Sequence, residues 1–215
     1  MLVACWSAKG GAGTSVVAAA LALLAARRSS RGAILADLAG DGPALLGVAE
    51  PTSPGLAGWL AAGDDVPADA LARIEVPVVD GVSLLPRGPG GLEPDRASVL
   101  ASLLAGGRRP TVADCGSTLD AAVTAFAHRA DVSLLVTRPC FLALRRAREA
   151  PLTPTGVVLV HEGGRALTRA DVEDVTRTPV VADVPLDPRV ATAVDAGLLV
   201  RALPRSLSRA LRHVA

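Results

Sequence analysis

The sequence predicts an α/β fold: a doubly wound, mostly parallel sheet flanked by helices. Three observations carry that prediction. Short β-branched or aliphatic runs alternate with longer patterns of helical period, the order that βαβ units produce. Several of the short runs are apolar at every position, as strands covered by helices on both faces are. A glycine-rich stretch stands directly between the first such run and the first helical pattern, the context of a phosphate-binding loop.

Taken in order, Leu2–Trp6 is the first strand, Ser15–Arg28 the first helix and Ala33–Asp37 the second strand. Residues Gly40–Val79 are rich in Gly, Pro, Ala and Asp, so short helices are expected there, Gly55–Ala62 and Ala68–Arg73, rather than regular sheet. Strands then follow at Val82–Leu85, Thr111–Asp114, Val132–Thr137, Gly156–Val160 and Val180–Val184. Between and after them the pattern predicts helices over Pro94–Ala105, Thr118–Arg129, Leu142–Glu149, Arg169–Thr176, Pro188–Ala196 and Pro204–His213. No internal repeat and no linker composition interrupts the alternation, so residues 1–215 read as one domain.

Composition narrows the function. At 215 residues the chain is long enough to bury a full core; 50% of it is hydrophobic and 20% charged, which argues against disorder. The 22 basic residues nearly cancel the 21 acidic ones, so a wholesale polyanion binder is not expected. Gly, Pro or charge breaks the apolar runs well before the length of a bilayer span, and no charged leader precedes a small-residue cleavage site. A cytoplasmic location is the expectation. Cys5, Cys115 and Cys140 lie far apart, form no CxxC pair and are expected to be buried, reduced thiols. His128, His161 and His213 have no metal-ligand spacing.

The segment Ser7-Ala8-Lys9-Gly10-Gly11-Ala12-Gly13-Thr14-Ser15 carries the most chemistry. Its three glycines let the backbone curl so that several N–H groups face one anion, and the positive end of the following helix adds to the attraction. Ser15 offers a hydroxyl to Mg²⁺. Lys9 is the only lysine beside 21 arginines, which suits a place where arginine will not serve. The bland reading is a tight turn between strand and helix.

Lys-Gly-Gly-x-Gly-x-Ser, with lysine at the front, resembles the deviant Walker A motif of the ParA/MinD-type ATPases, a P-loop NTPase family of the SIMIBI class. The resemblance implies ATP and Mg²⁺ as ligands and an ATP-sandwiched homodimer in which the front lysine, here Lys9, reaches the partner's phosphates. It implies phosphate binding by Lys9, Gly10, Gly11, Ala12, Gly13, Thr14 and Ser15. Thr111–Asp114 followed by Cys115-Gly116 resembles the Walker B strand and switch II, which places Asp114 near Mg²⁺ together with Ser15. Ala33–Asp37 resembles the strand into switch I and gives Asp37 a catalytic role beside Lys9. Val184-Pro185-Leu186-Asp187-Pro188-Arg189-Val190, with Ala193 and Gly197, is similar to the family's late motif beside the nucleotide base, so Pro185 and Asp187 join the binding set.

The chain departs from the family at three places. The second loop lysine, which binds the β- and γ-phosphates, is replaced by Thr14. A charge about 4 Å from phosphate is worth roughly 4 kcal/mol at an effective dielectric near 20, before desolvation. The acid that orients the attacking water is replaced by Ala39, with Asp41 two residues on. His161 and Glu162 stand where the family often has an adenine-reading Asn. Phosphoryl transfer is mostly positioning and charge stabilisation, so weak or absent hydrolysis is expected.

Three further features were weighed against plainer readings. Arg205, Arg209 and Arg212 share one face of the last helix and Leu207, Leu211 and Val214 the other; this suits either peripheral membrane contact through residues 204–214 or, as favoured here, packing on the sheet. Arg138, Arg145, Arg146 and Arg148 suit non-specific DNA contact or, preferably, a solvated helix face beside Glu149. Trp59 packs inward or forms part of a dimer surface.

The sequence is therefore identified with a ParA/MinD-like nucleotide-binding protein, closest in its Asp37-Leu38-Ala39-Gly40-Asp41 segment to the divergent branch of CpaE/TadZ pilus-localisation proteins. Such a protein acts as a nucleotide-dependent dimeric switch, an ATPase if active, with a protein partner in a pilus, secretion, division or chromosome-partitioning system. Its place is cytoplasmic, with the inner membrane or nucleoid as peripheral sites. The alternative is a non-catalytic scaffold on the same fold that no longer binds ATP. An ATP-dependent amide-forming synthetase would need a substrate pocket with convergent polar groups, and the sequence offers no such constellation.

Overall fold

The computed structural model describes residues 1–63, 66–67, 69–79, 81–161 and 163–214. The described strands are β1 (Leu2–Trp6), β2 (Ala33–Asp37), β3 (Val76–Val79), β4 (Val82–Leu85), β5 (Thr111–Asp114), β6 (Val132–Thr137), β7 (Gly156–His161) and β8 (Val180–Pro185). The helices are α1 (Thr14–Arg28), α2 (Gly42–Leu46), α3 (Gly55–Ala61), α4 (Ala70–Ile74), α5 (Ala97–Ala105), α6 (Ala121–Ala127), α7 (Phe141–Glu149), α8 (Arg169–Thr176), α9 (Pro188–Asp195) and α10 (Arg205–Leu211). The strands form one sheet in the order β3-β4-β2-β5-β1-β6-β7-β8. All neighbours are parallel except β3 with β4. This is the doubly wound, mostly parallel architecture that the alternation of runs predicts.

The two faces of the sheet bury two separate cores, and β1 shows why its run is apolar throughout. Leu2, Ala4 and Trp6 point to the core shared with Leu100, Phe126 and Leu144, whereas Val3 and Cys5 point to the core built around α1. The Trp6 indole N–H donates to Ser133 Oγ at 2.9 Å, so the one polar atom of this buried ring is satisfied. Helix α1 is buried from Val17 through Ala26, as a helix hydrophobic on all sides must be, and ends on Arg27 and Arg28, whose charge suits a helix C-terminus.

The differences from the expected elements have local causes. Val76–Val79 is a strand, not part of an irregular stretch. Its Pro77 cannot donate to a ladder, and the run is admitted only because β3 is the antiparallel edge of the sheet. The five-residue α2 was also not expected; Pro43 in its first turn starts it and Gly47 in a left-handed conformation ends it. Helices α5 and α6 begin later than expected. For α6 the reason is visible: Asp120 accepts from Val123 N at 2.9 Å and caps the helix there. The expected helix from Ala68 is described from Ala70; Ala68 itself lies outside the described residues.

The open side-chain questions are resolved by packing. Trp59 points inward, 6% exposed, with the Arg96 guanidinium 4.0 Å from its ring centroid and Arg96 Nη1 donating to its carbonyl at 2.8 Å. Leu207 and Leu211 of α10 are buried, and the helix packs on β8 and α1, so its apolar face is spent on the core while Arg205, Arg209 and Arg212 face water. Arg145, Arg146 and Arg148 are exposed on α7, with Arg145 paired to Glu149 at 3.3 Å. Cys5 and Cys115 are buried free thiols, as expected. Cys140 is only half-buried, and its Sγ accepts from Ala143 N at 3.4 Å at the start of α7. Among the described residues no helix is long and apolar enough to cross a membrane.

Candidate functional site

Strand β1 runs between β5 and β6, so its carboxyl end opens near the middle of the sheet edge, where parallel α/β sheets hold ligands. From there residues 7–13 turn into α1. Two backbone positions make the turn: Gly11 at φ 79° and Gly13 at φ 88°, both left-handed, with open space beside each. Glycine is needed here for conformation rather than for packing. No side chain caps α1, so its first N–H groups, which have no intrahelical acceptor, remain open to a ligand. Ser7 N donates to Gly116 O at 2.9 Å and ties the loop to the segment after β5. A cleft of about 670 Å³ opens above the loop, walled by residues 10–16, 38–39, 41, 87, 115–118 and 194–195.

Two carboxylates stand side by side beneath it. Strands β2 and β5 pair with Asp37 opposite Asp114. Burial pushes the Asp114 carboxyl up to about 6; hydrogen bonds from the Ser15 hydroxyl and from Gly116 N, the latter at 3.0 Å, pull the other way, while the Asp37 and Asp41 charges push further up. Asp37 is fully buried and its carboxyl is also raised, chiefly by that burial. Its two oxygens are occupied: Oδ1 accepts from Gly40 N at 2.7 Å and Oδ2 from Gly42 N at 2.8 Å. Asp37 therefore holds the loop after β2 from beneath and does not line the cleft, whereas Ala39 and Asp41 of that loop do.

The residues singled out from the sequence thus separate into two groups. Gly10, Gly11, Ala12, Gly13, Thr14 and Ser15 come together on the cleft wall, with the buried Asp114 behind them. Lys9 is half-buried beside the loop and is not part of the wall. Pro185 and Asp187 are not on the wall either. Asp187 caps α9 by accepting from Arg189 N at 2.9 Å and also accepts from Ser206 Oγ at 2.6 Å, so it fixes the helix whose far end, Val194 and Asp195, reaches the cleft. His161 pairs with Asp183 away from the cleft, and Glu162 lies outside the described residues.

The sequence reading missed Arg87. It stands two residues after β4, lines the cleft opposite the glycine loop, and donates from Nη1 to the carbonyl of Leu38. The signal was available: Pro86-Arg87-Gly88 comes at the carboxyl end of a parallel strand, where site residues of such sheets gather.

The same architecture recurs in solved ATPase structures. A ParA family ATPase from Chlorobium tepidum superposes with a TM-score of 0.81 at 21% identity, over 99% of this chain and 96% of that one. The chain has the ParA/MinD fold. The septum site-determining protein MinD of Pyrococcus horikoshii, in complex with Mg-ADP, gives a TM-score of 0.79 at 19% identity over 98% and 92% of the two chains. McdA from Cyanothece, as an ATP complex, gives 0.73 at 17% identity over 99% and 93%. No family model matches the sequence, and no curated protein matches it.

Within the ParA/MinD fold the donor set of this chain suits a phosphorylated ligand with a hydrated Mg²⁺. Open helix N–H groups provide anion donors, and Ser15 with Asp114 provides one hydroxyl and one carboxylate. That is a fitting complement for a cation that keeps several waters and shares phosphate oxygens. Among the described residues no cluster of three or more His, Cys, Asp or Glu forms a self-sufficient metal site.

Proposed function

We propose that the protein is an ATP-binding switch of the ParA/MinD type, which works as a homodimer to position cellular machinery or DNA and hydrolyses ATP slowly or not at all. One observation carries the reading: the uncapped start of α1, reached through Gly11 and Gly13 in left-handed conformations, opens onto a 670 Å³ cleft with Ser15 on its wall and the buried Asp114 behind it. In this reading the loop is a deviant Walker A motif. The backbone N–H groups from Gly10 to Thr14 bind the phosphates, and Lys9, beside the loop rather than in the wall, is placed to act on the partner subunit's nucleotide. Ser15 and Asp114 hold Mg²⁺, which when bound neutralises phosphate charge. Asp37 keeps the loop of Ala39 and Asp41 in place, and Asp187 does the same for the end of α9. With alanine at position 39 no side chain there orients a water, which is the reason for slow turnover. The branch nearest CpaE/TadZ, the cytoplasmic location with its nucleoid or inner-membrane docking, and a protein partner in a pilus, secretion, division or partitioning system belong to the same proposal.

A second reading is favoured by Thr14, which is 6% exposed and carries no charge where the family has a lysine: a scaffold on the same fold that does not bind ATP. Calorimetric titration of Mg-ATP into the purified protein separates the two. Micromolar binding that weakens at least ~10-fold in Lys9→Ala, with light scattering showing ATP-dependent dimers, supports the switch. No binding at millimolar Mg-ATP overturns it and leaves the scaffold.

A further inference from the structure

We infer that Arg87 supplies the phosphate-binding charge that Thr14 withholds, from the opposite wall of the cleft. The inference rests on the nucleotide-binding reading above and names the residue that completes it. Among the residues lining the cleft, Arg87 is the only cation; Asp41 and Asp195 are the acids. The Arg87 guanidinium spends one nitrogen on the Leu38 carbonyl, and it makes no ion pair and no other side-chain hydrogen bond among the described residues. A half-buried guanidinium with free donors and no ion-pair partner, on the wall facing the open N–H groups of α1, is suited to receive an anion held between them.

The backbone that carries Arg87 is built to hold it still. The first N–H groups of α3 grip the loop after β4: Leu56 N donates to Pro86 O and Ala57 N to Arg87 O, both at 2.8 Å. Gly55 and Gly88 let the two segments touch. A Cβ on Gly88 would lie 2.2 Å from Pro54 O, and one on Gly55 would lie 2.5 Å from Gly88 N, so no other residue permits this approach. The glycine- and proline-rich surroundings of Arg87 therefore serve to place one side chain. A planar fork of donors reaching in from the facing wall can bind two phosphate oxygens in one fixed bidentate geometry, which the rotatable ammonium of a lysine does not impose.

The test compares wild type, Arg87→Ala and Arg87→Lys by calorimetry with Mg-ATP, Mg-ADP and AMP, after thermal melting has shown that each variant is folded. A further variant, Thr14→Lys in the Arg87→Ala background, asks whether charge at the loop restores what was lost. The expected result is at least a ~10-fold weaker Kd for Mg-ATP in Arg87→Ala, equivalent to about 1.4 kcal/mol, with a smaller loss for ADP and none for AMP, and partial recovery in Arg87→Lys and with Thr14→Lys. If wild type and Arg87→Ala bind Mg-ATP equally, the inference about Arg87 fails while the nucleotide reading stands. An equal loss for ATP and AMP, unrelieved by Thr14→Lys, would make Arg87 a holder of the Leu38 loop and overturn its phosphate role. Absence of binding in wild type overturns both readings.

Discussion

Replacing Asp37 by Ala tests whether this buried carboxylate holds structure or performs chemistry. The substitution removes acceptors at 2.7 Å from Gly40 N and 2.8 Å from Gly42 N. Hydrogen bonds to a charged group contribute about 1.5–3 kcal/mol each, and Gly42 is buried, so its N–H is left without water as a substitute. Against this, burial already disfavours the ionised carboxyl, and its removal relieves that cost. The balance is a loss of about 2–3 kcal/mol, or a fall of roughly 5–10 °C in Tm for a chain of this size. Asp37→Asn keeps an acceptor for one N–H but turns an amide NH₂ toward the other, and is expected to lose about half as much. The assay is thermal denaturation followed by circular dichroism without nucleotide. A second readout follows from the pairing of Asp37 with Asp114: in Asp37→Asn the Asp114 carboxyl, pushed up in part by the Asp37 charge, titrates below its wild-type value of about 6. Infrared titration of the carboxyl band reads that shift. If Asp37→Ala melts with wild type while nucleotide hydrolysis disappears, the loop-holding role is refuted and Asp37 belongs to the chemistry.

Two other perturbations test the framework around the site. Gly88→Ala puts a Cβ 2.2 Å from Pro54 O at φ +72° and is expected to cost about 3 kcal/mol or more by thermal denaturation, whereas Gly90→Ala, with φ +98° and open space around it, should cost only about 1–2 kcal/mol from its backbone conformation. Arg109 grips Glu75 with two nitrogens at 2.6 and 2.5 Å, and this hydrogen-bonded pairing holds the Glu75 carboxyl below its ordinary value of 4.5. Arg109→Ala is expected to lose about 2 kcal/mol at pH 7, in urea melts. Because the folded pKa is depressed, this stabilisation is present above the ordinary value of 4.5 and is lost as pH falls through the lower folded value, so the gap between wild type and variant should narrow as the pH is taken below 4.5.

The inner strands were legible because they are buried on both faces and must be apolar, as Val112–Ala113 and Leu134–Val136 are, and the parallel edge β8 by its alternation, buried at Val180, Ala182 and Val184 and exposed between them. Strand β3 was not, because at the edge the burial requirement lapses: Val76, Val78 and Val79 are half-buried and Pro77 is exposed, a composition that reads as loop. Residues 38–46 resisted for another reason. Their conformation is dictated by Asp37, through hydrogen bonds to residues three and five positions ahead, and by Arg87 from another strand end; neither contact has a periodic signature. The late motif is a further case. There the resemblance names Pro185 and Asp187, and the packing gives Asp187 a task no motif announces, the cap of α9, whose far end meets the cleft at Val194 and Asp195.

The candidate site also shows how geometry and charge can part company within one fold. The loop after β1 needs only left-handed backbone at Gly11 and Gly13 and a helix start without a cap, and these follow from the glycines and from the place of β1 in the sheet. Charge is not fixed by the fold in that way. A cation can approach the same space from the loop, from the next subunit or from the facing strand end. In this chain the loop position is a buried threonine, the single lysine stands off the wall, and an arginine comes from β4 on a backbone that two glycines and two hydrogen bonds hold in place. A motif search centred on the loop sees only the loss. The cation on the cleft wall, Arg87, faces the loop, and for any anion held in that space the position and rigidity of a cation matter more than the strand from which it comes.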